Sequence, residues 1–284
     1  MEKLRCLYSS AVTEMVREMF IRANHVLPGC VGKALETAKK AEKNPLACSV
    51  LEMLEKNIDI AEKWDVPVCQ DTGMAIVFAE VGKDLHLTGE NLNDAIQEGV
   101  RKAYLDGKMR CSVVRDPFFD RSNTGDNTPA IIYIRYCDGD KLRLTALPKG
   151  FGSENMSAVK MFTPSATREE IVGFVVDTVK KAGSNPCPPI VVGVGIGGSF
   201  DYAAVLSKKA LARDLDDENE NENYRDLEKE ILDKINRLGI GPQGFGGNTT
   251  ALAVKIEHYP THIAGLPVAV NICCHVARHL TTEL

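Results

Sequence analysis

The stretch PPIVVGVGIGGSFDYAAVLSKKALARD (residues 188–214) joins an apolar strand pattern to a helix pattern through a run of glycines. Gly193, Gly195 and Gly198 satisfy the spacing G-x-G-x-x-G of dinucleotide-binding units. Such a unit needs a second strand ending in an acidic residue about 20 positions further on, whereas this helix pattern runs into an acidic loop. We therefore expect a strand followed directly by a helix, without a nicotinamide cofactor. The bare glycine backbone beside a helix N-terminus could still approach an anionic group.

Strand and helix patterns alternate without a fixed order along the rest of the chain. The sequence has no visible repeat of fixed period, and no Pro- or Ser-rich linker divides the chain convincingly. The sequence therefore predicts an α+β fold of mixed helices and short sheets, in one domain over residues 1–284. The predicted helices are residues 11–27, 46–64, 91–105, 167–183 and 199–214, and the predicted strands are residues 75–81, 130–136, 142–148 and 188–194.

Composition limits the classes of function. With 44% hydrophobic residues among 284, the chain can bury a core without disulfide bonds. A formal net charge of −5 with dispersed basic residues argues against nucleic acid as a partner. The longest apolar runs fall short of the roughly 20 residues that span a bilayer, and the N-terminus lacks the apolar segment of a signal peptide. We expect a cytoplasmic protein without a membrane partner, in which the acidic run 214–224 is a solvated loop.

Three of the nine cysteines occur in unusual settings. In a reducing compartment structural disulfides are improbable, and most of the nine read as core residues. Cys69, Cys187 and Cys274, however, each follow or precede a strand pattern beside a proline, an amide or a histidine. Three thiolates on separate loops suit a soft metal site. An iron–sulfur cluster with one open iron and a zinc site both accept such a set, and the residues alone leave the choice open.

Several polar loops that contain glycine accompany these cysteines. They add amides, hydroxyls and close backbone approach beside strand patterns, which is more than a structural scaffold needs. The loops are VCQDTGM (68–74), RSNTGDNTPA (121–130), KGFGSENMSA (149–158) and the start of GIGPQGFGGNTTALAVKIE (239–257).

Three polar residues in or near these loops have both a structural and a functional interpretation. Asp71, before Thr72 and Gly73, could cap a turn. His262 could be a hydrogen-bonded core histidine, and Arg110 could be an ordinary surface charge. The residue types nevertheless suit dicarboxylate chemistry, because a carboxylate favours bidentate Arg and amide donors.

Taken together and in order, the motifs resemble the class I iron–sulfur hydro-lyases, the family of class I fumarases and L(+)-tartrate dehydratases. The resemblance runs from about Met1 to His279, nearly the whole chain. The motifs that carry it are VCQDTG, MRCS at 109–112, NTGDNTPA, KGFGSEN, NPCPP, GVGIGG with SFDYAAVLSKKAL, GPQGFGGNTTALAVKIE and PTHIAGLPVAVNICCHVARH.

The resemblance assigns roles to individual residues. It implies a [4Fe–4S] cluster with one open iron, held by Cys69, Cys187 and Cys274. Cys274 is preferred to Cys273 because the family cysteine stands four residues before the arginine matched by Arg278. The resemblance also implies substrate binding by Gln70, Asp71, Arg110 and Gly152, and catalytic roles for Asp71 and His262.

The activity implied is reversible hydration and dehydration of a small dicarboxylate, fumarate to L-malate, with L(+)-tartrate dehydration as the alternative. Single-chain members continue into a second domain, whereas this chain ends at Leu284. The resemblance therefore implies an α subunit that is active with a separate β subunit, as an α2β2 heterotetramer. Two other classes stay open: an iron–sulfur electron carrier, which would want a fourth cysteine ligand, and a noncatalytic zinc-binding scaffold.

Overall fold

The computed structural model describes residues 5–284, so residues 1–4 of the predicted domain lie outside the described residues. The described chain divides into two compact units. Unit 1 contains the described residues up to Leu27, Ala61–Gly150 and Arg278–Leu284, and unit 2 contains Pro28–Ile60 and Phe151–Ala277. Both units combine segments that are distant in sequence, and the count of one folding domain stays a prediction.

Helices and strands follow one another irregularly, as the α+β prediction requires. The helices are α1 (Ser9–His25), α2 (Gly29–Ala41), α3 (Pro45–Trp64), α4 (Leu92–Asp106), α5 (Phe151–Glu154), α6 (Arg168–Ala182), α7 (Phe200–Ala210) and α8 (Glu222–Asn236). The strands are β1 (Arg5–Tyr8), β2 (Met74–Gly82), β3 (Leu85–Thr88), β4 (Ile131–Cys137), β5 (Leu142–Lys149), β6 (Ala158–Phe162), β7 (Ile190–Gly198), β8 (Ala251–Thr261), β9 (Leu266–Cys273) and β10 (Leu280–Glu283). The predicted fold class is confirmed.

Unit 1 is built on a four-stranded sheet in the order β10-β5-β2-β4. The pair β2/β4 is parallel, whereas β5 runs antiparallel to both β2 and β10. Ala75, Val77 and Ala79 of β2 alternate along the strand and are buried in one core with apolar residues of α1 and α4. Helix α4 begins at its N-cap Asn91, whose side chain accepts a hydrogen bond of 3.0 Å from Asp94 N.

Unit 2 is built on a second four-stranded sheet in the order β6-β9-β7-β8. Strand β7 is buried along nearly its whole length, and α7 follows it directly, as the opening stretch predicts. A Cβ on Gly193 would lie 2.1 Å from Ser207 O, and one on Gly195 would lie 2.0 Å from Ala203 O. Two glycines of the dinucleotide-like pattern therefore serve close packing of α7 on β7.

The acidic run 214–224 is only partly the solvated loop that its composition predicts. Asn219 is 8% exposed, and its Nδ2 donates to Glu228 Oε1 and to Ile256 O. Its neighbours Glu218 and Glu220 are exposed or nearly so. One buried amide therefore fixes the loop while the carboxylates stay in water. Within residues 5–284 no helix is long and apolar enough to cross a membrane.

Candidate active site

The segment Val68–Gly73 forms a loop of unit 1 between α3 and β2. Cys69 is half-buried and Gln70 is exposed, while Asp71 is partly buried. Asp71 Oδ1 accepts a hydrogen bond of 3.0 Å from Gly73 N, so the turn-capping interpretation of this residue is correct as far as it goes. A cap uses one carboxylate oxygen, and a Cβ on Gly150 would lie 3.1 Å from the other, Oδ2. Gly150 therefore leaves that oxygen room.

Buried polar residues of unit 1 form hydrogen bonds to the main chain of this loop. Arg278 is 2% exposed and donates to Asp71 O at 2.8 Å and to Asn24 Oδ1 at 2.7 Å. Asn24, in α1, is fully buried, and its carbonyl accepts from Val68 N at 2.9 Å. The loop that carries Cys69 and Gln70 is thus fixed at one end by the main-chain carbonyl of Asn24 and at the other by the guanidinium of Arg278. The sequence analysis used Arg278 only to choose between two cysteines, and it did not predict that Arg278 and Asn24 hold this loop.

A second set of bonds fixes the end of the loop. The Tyr104 hydroxyl donates to Gly73 O at 2.8 Å and lies 2.9 Å from Thr72 O, and Asn127 Nδ2 donates to Gly73 O at 3.1 Å. Burial raises the pKa of Tyr104, so this hydroxyl remains a donor at every physiological pH. Asn127 Oδ1 in turn accepts from Ser112 N at 2.7 Å. The motif NTGDNTPA therefore contributes a buried amide that joins two other segments.

Arg110 lies beside the same loop. Its carbonyl accepts a hydrogen bond of 3.0 Å from Thr72 Oγ1, and its side chain is exposed in the loop that follows α4. Of the predicted site residues, unit 1 thus brings together Cys69, Gln70, Asp71 and Arg110. The two segments are in contact through the main chain of Arg110, and a guanidinium and an amide are side-chain types that bind the carboxylate of a small molecule.

Two further predicted cysteines lie on neighbouring segments of unit 2. Cys187 is exposed and adopts φ +54°, in a turn where its N–H donates to Ser184 O. His275, the residue after Cys274, donates from its N–H to Cys187 O at 3.4 Å and places Nδ1 3.0 Å from the same oxygen. The segments NPCPP and ICCHVAR therefore meet in unit 2.

Gln243, in the motif GPQG, contacts the same two segments. Its backbone N–H and its Nε2 donate to Pro188 O at 2.7 and 2.8 Å, and Nε2 lies 3.3 Å from His275 Nδ1. The sequence analysis noted this motif as a polar loop that contains glycine and as part of the family resemblance, without a role for Gln243. Gln243 adopts φ +52° inside a single 3₁₀ turn, and the flanking glycines that permit such a turn were the available signal.

Cys273 and Cys274 differ in burial and in their position relative to β9. Cys273 is the last residue of β9, pairs with Val191 and is 4% exposed, in the sheet interior. Cys274 follows the strand and is half-buried. Because side chains alternate along a strand, only one of two consecutive cysteines can face the core. This geometry favours Cys274 as the residue available to a ligand.

Gly152 and His262 lie elsewhere in unit 2. Gly152 is exposed in α5, and a Cβ added there would meet nothing within 4 Å. His262 is exposed in the turn between β8 and β9, where its Nδ1 accepts from Ala264 N at 3.1 Å. It stands at the opposite end of β9 from Cys274, a separation of about 25 Å at 3.3 Å per strand residue. The structure does not bring His262 to the cysteines of unit 2.

The three cysteines fit a soft metal group in donor type, and none of them is in a disulfide bond. Arg278 Nε is buried and has no hydrogen-bond partner within residues 5–284, so a cationic donor remains beside the Cys69 loop. In the same part of the chain no three His, Cys, Asp or Glu side chains gather closely enough to hold a single metal ion. The three thiols therefore match a cluster in donor type alone.

Comparisons with known proteins identify the family to which this chain is similar. A family model described as fumarate hydratase (Fumerase) matches residues 13–283. A protein of Methanocaldococcus jannaschii named "Putative L(+)-tartrate dehydratase subunit alpha" is 43% identical over 274 residues, which are 94% of this chain and 95% of that protein. The L(+)-tartrate dehydratase subunit alpha of Escherichia coli strain UTI89 is 33% identical over 96% of this chain and 90% of its own length. That of strain K12 is 32% identical over 95% and 89%.

Proposed function

Because the chain belongs to the fumarate hydratase (Fumerase) family and is a hydro-lyase of the iron–sulfur type, we propose that it adds water to and removes water from a four-carbon dicarboxylate. Fumarate with L-malate is the first candidate substrate pair. The observation that carries the proposal is the group Gln70, Asp71 and Arg110 in unit 1. A buried network holds these residues in one place, and their side chains suit a carboxylate and a hydroxyl.

The proposed cofactor is a [4Fe–4S] cluster held by Cys69, Cys187 and Cys274. Such a cluster with three protein ligands has one iron with an open position, which supplies a Lewis acid for departure of a hydroxide. Thiolate donors and the spare donor of buried Arg278 support this choice over a hard cation.

Different residues of this chain bind different groups of the substrate. We propose that Arg110 binds one substrate carboxylate through its guanidinium and that Gln70 donates its amide to the same charge. Asp71 contacts the substrate hydroxyl, because its main-chain carbonyl is fixed by Arg278 and its carboxylate lies in the same loop as Gln70. The backbone N–H of Gly152 has the space to approach a second carboxylate. Of the proposed roles, catalysis by His262 has the least geometric support.

Elimination of water also needs a base that takes the proton from the carbon next to the hydroxyl-bearing carbon. We propose that a separate β subunit contributes this group and the remaining contacts to the substrate, in an α2β2 assembly. Support comes from the relatives, which are named as alpha subunits and match this chain over about nine-tenths of their length. A cytoplasmic location is proposed on composition alone.

L(+)-tartrate is the second candidate substrate. The relatives at 43% and 33% identity carry the name of its dehydratase. Tartrate differs from malate by one hydroxyl, and a site that binds this group would leave a polar atom unpaired with malate. Discrimination is therefore decided by a few contacts, part of which we assign to the β subunit.

The test is anaerobic purification of the full chain, with iron and acid-labile sulfide quantified, followed by hydro-lyase assays on fumarate and L(+)-tartrate with and without the β subunit. A cluster with activity that appears only on mixing supports the proposal and identifies the substrate. Substantial turnover by β-free protein would contradict the role of the partner. Zinc without sulfide would favour a metal-binding scaffold. A cluster whose electron paramagnetic resonance signal does not shift when a dicarboxylate is added would favour an electron carrier.

A further inference from the structure

The sheet of unit 1 has one face that α1 and α4 do not occupy. Ala75, Val77 and Ala79 of β2 face the core, so the residues that alternate with them, including Phe78 and Glu80, face the other way. The register then aligns side chains of all four strands in rows across this second face. We call it the outer face, and it consists of Tyr133, Phe78, Thr145 and Thr281 in one row and of Arg135, Glu80, Arg143 and Glu283 in the next.

The second row alternates in charge from one edge of the sheet to the other. Arg135 of β4 lies beside Glu80 of β2, with Nη2 3.4 Å from Oε1, and Arg143 of β5 lies on the other side, with Nη1 3.8 Å from Oε2. Glu283 of β10 completes the row and pairs with Lys141. The side chains of Arg135, Arg143 and Glu283 are 68%, 58% and 47% exposed. These charges are therefore available to a partner.

The first row has two large aromatic side chains on one half of the sheet and two small threonine side chains on the other. Tyr133 and Phe78 stack with ring centroids 5.1 Å apart and an interplanar angle of 18°. On the other half, Thr145 and Thr281 share a hydrogen bond of 2.9 Å between their hydroxyls. Two large rings thus stand beside two short side chains, and all four are exposed or half-buried.

Both rows are complementary to themselves under a twofold rotation. An axis in the plane of the contact, parallel to the strands and midway between β2 and β5, places β4 of one copy over β10 of the other and β2 over β5. Every arginine of the charged row then faces a glutamate, and each ring faces a threonine. An isologous contact requires such self-complementarity, and aligned face-to-face packing is a common arrangement of sheets.

We propose that the outer face is the centre of a contact between two copies of this chain. The half-buried stacked rings and the matching of opposite charges favour a second copy over an unlike partner. The inference rests on the proposed α2β2 assembly and assigns its contact between α chains to one surface. Its test measures association and not turnover, so it can fail while the proposed hydro-lyase activity is retained.

The test uses the fact that Arg135 and Glu283 lie on opposite edges of the sheet and meet only between copies. In R135E, residues 135 and 283 are both acidic, and in E283R both are basic, so each variant repels its own copy. Mixed together, the two variants form a fully complementary pair. We expect each variant alone to weaken self-association about tenfold or more, and the mixture to regain it to within about threefold of the wild type.

Sedimentation of the full chain, alone and together with the β subunit, measures this association. K229E, which changes an exposed lysine of α8 in unit 2, is the matched control and should associate as the wild type does. Circular dichroism checks that each variant is folded. The proposal is overturned if the wild type contains one copy both alone and in the assembly, or if R135E and E283R associate normally. It is also overturned if these variants lose the β subunit while keeping self-association.

Discussion

Arg278 is the residue on which the Cys69 loop depends most directly. Its guanidinium is 2% exposed and bonds the carbonyl of Asp71 and the amide of Asn24. We expect R278Q to lower the free energy of unfolding by about 2 to 3 kcal/mol, because bonds from a charged donor are lost and buried acceptors remain. Urea unfolding measures the loss, and R237Q, at an exposed position, is the control. Equal midpoints for the two variants would contradict the role given to Arg278.

Arg110 differs from Arg278 because only its backbone is used by the fold. Thr72 Oγ1 binds its carbonyl, while the side chain is exposed. In the assembled enzyme we expect R110A to raise the Michaelis constant and to lower kcat together, by about tenfold or more in kcat/KM, because a charged contact to the substrate is lost. Unfolding should be unchanged. Normal kinetics, with R115A as an exposed control, would remove Arg110 from the pocket.

Tyr104 gives a dependence on pH with a defined sign. Burial raises its pKa in the folded chain above the ordinary value of 10.0, so the folded state keeps a proton that the unfolded state loses. Its contribution to stability is therefore complete below pH 10 and decreases as the pH rises above that value. We expect the urea midpoint to fall more steeply above this pH in the wild type than in Y104F. Parallel profiles would contradict burial as the cause, and Y136F, at an exposed tyrosine, is the control.

At the scale of elements, sequence periodicity predicted several long segments, but it assigned neither the four-residue strands nor the longer α2, β8 and β9. Helices α1, α3 and α4 and strands β2 and β5 have enough alternating apolar positions to be read directly. Strands β1, β3 and β10 have four residues each, and β10 pairs with β5, which is more than 130 positions away. A pattern of four residues carries little information, and the partner of such a strand is decided by the whole fold.

The packing of α7 on β7 gives a prediction at this scale. A Cβ on Gly195 would lie 2.0 Å from Ala203 O, so G195A must separate helix and strand. We expect a loss of about 3 kcal/mol or more in the free energy of unfolding. G173A in α6 is the control, since a Cβ there meets nothing within 4 Å and alanine favours a helix by up to about 1 kcal/mol. Similar midpoints for both variants would show that the contact is not tight.

For the whole molecule, the sequence predicted the residues of the candidate site, but it did not predict the buried residues that hold those site residues in position. The resemblance selected Cys69, Gln70, Asp71 and Arg110, which the structure brings together in unit 1. It could not show that Arg278 fixes Asp71, because these residues are separated by 207 positions and no local pattern links them. Nor could composition show the two compact units, since each combines distant segments without a linker between them.

The cysteines of both units give the final prediction, which tests the ligand set without measuring activity. In the cluster-loaded chain we expect Cys69, Cys187 and Cys274 to resist alkylation, because thiolates bound to iron are not available to the reagent. After anaerobic removal of iron by a chelator the three should react, with exposed Cys187 fastest. Mass spectrometry of the labelled peptides measures this.

Three other cysteines supply the controls for that experiment. Cys6 is exposed and should react in both states, whereas Cys273, 4% exposed within β9, should react in neither. Burial raises the pKa of Cys111, so its thiol is a poor nucleophile and should label slowly whether or not iron is bound. Protection that moves from Cys274 to Cys273 on iron binding would contradict the choice between these neighbours. Protection absent from all three proposed ligands would contradict the cluster itself.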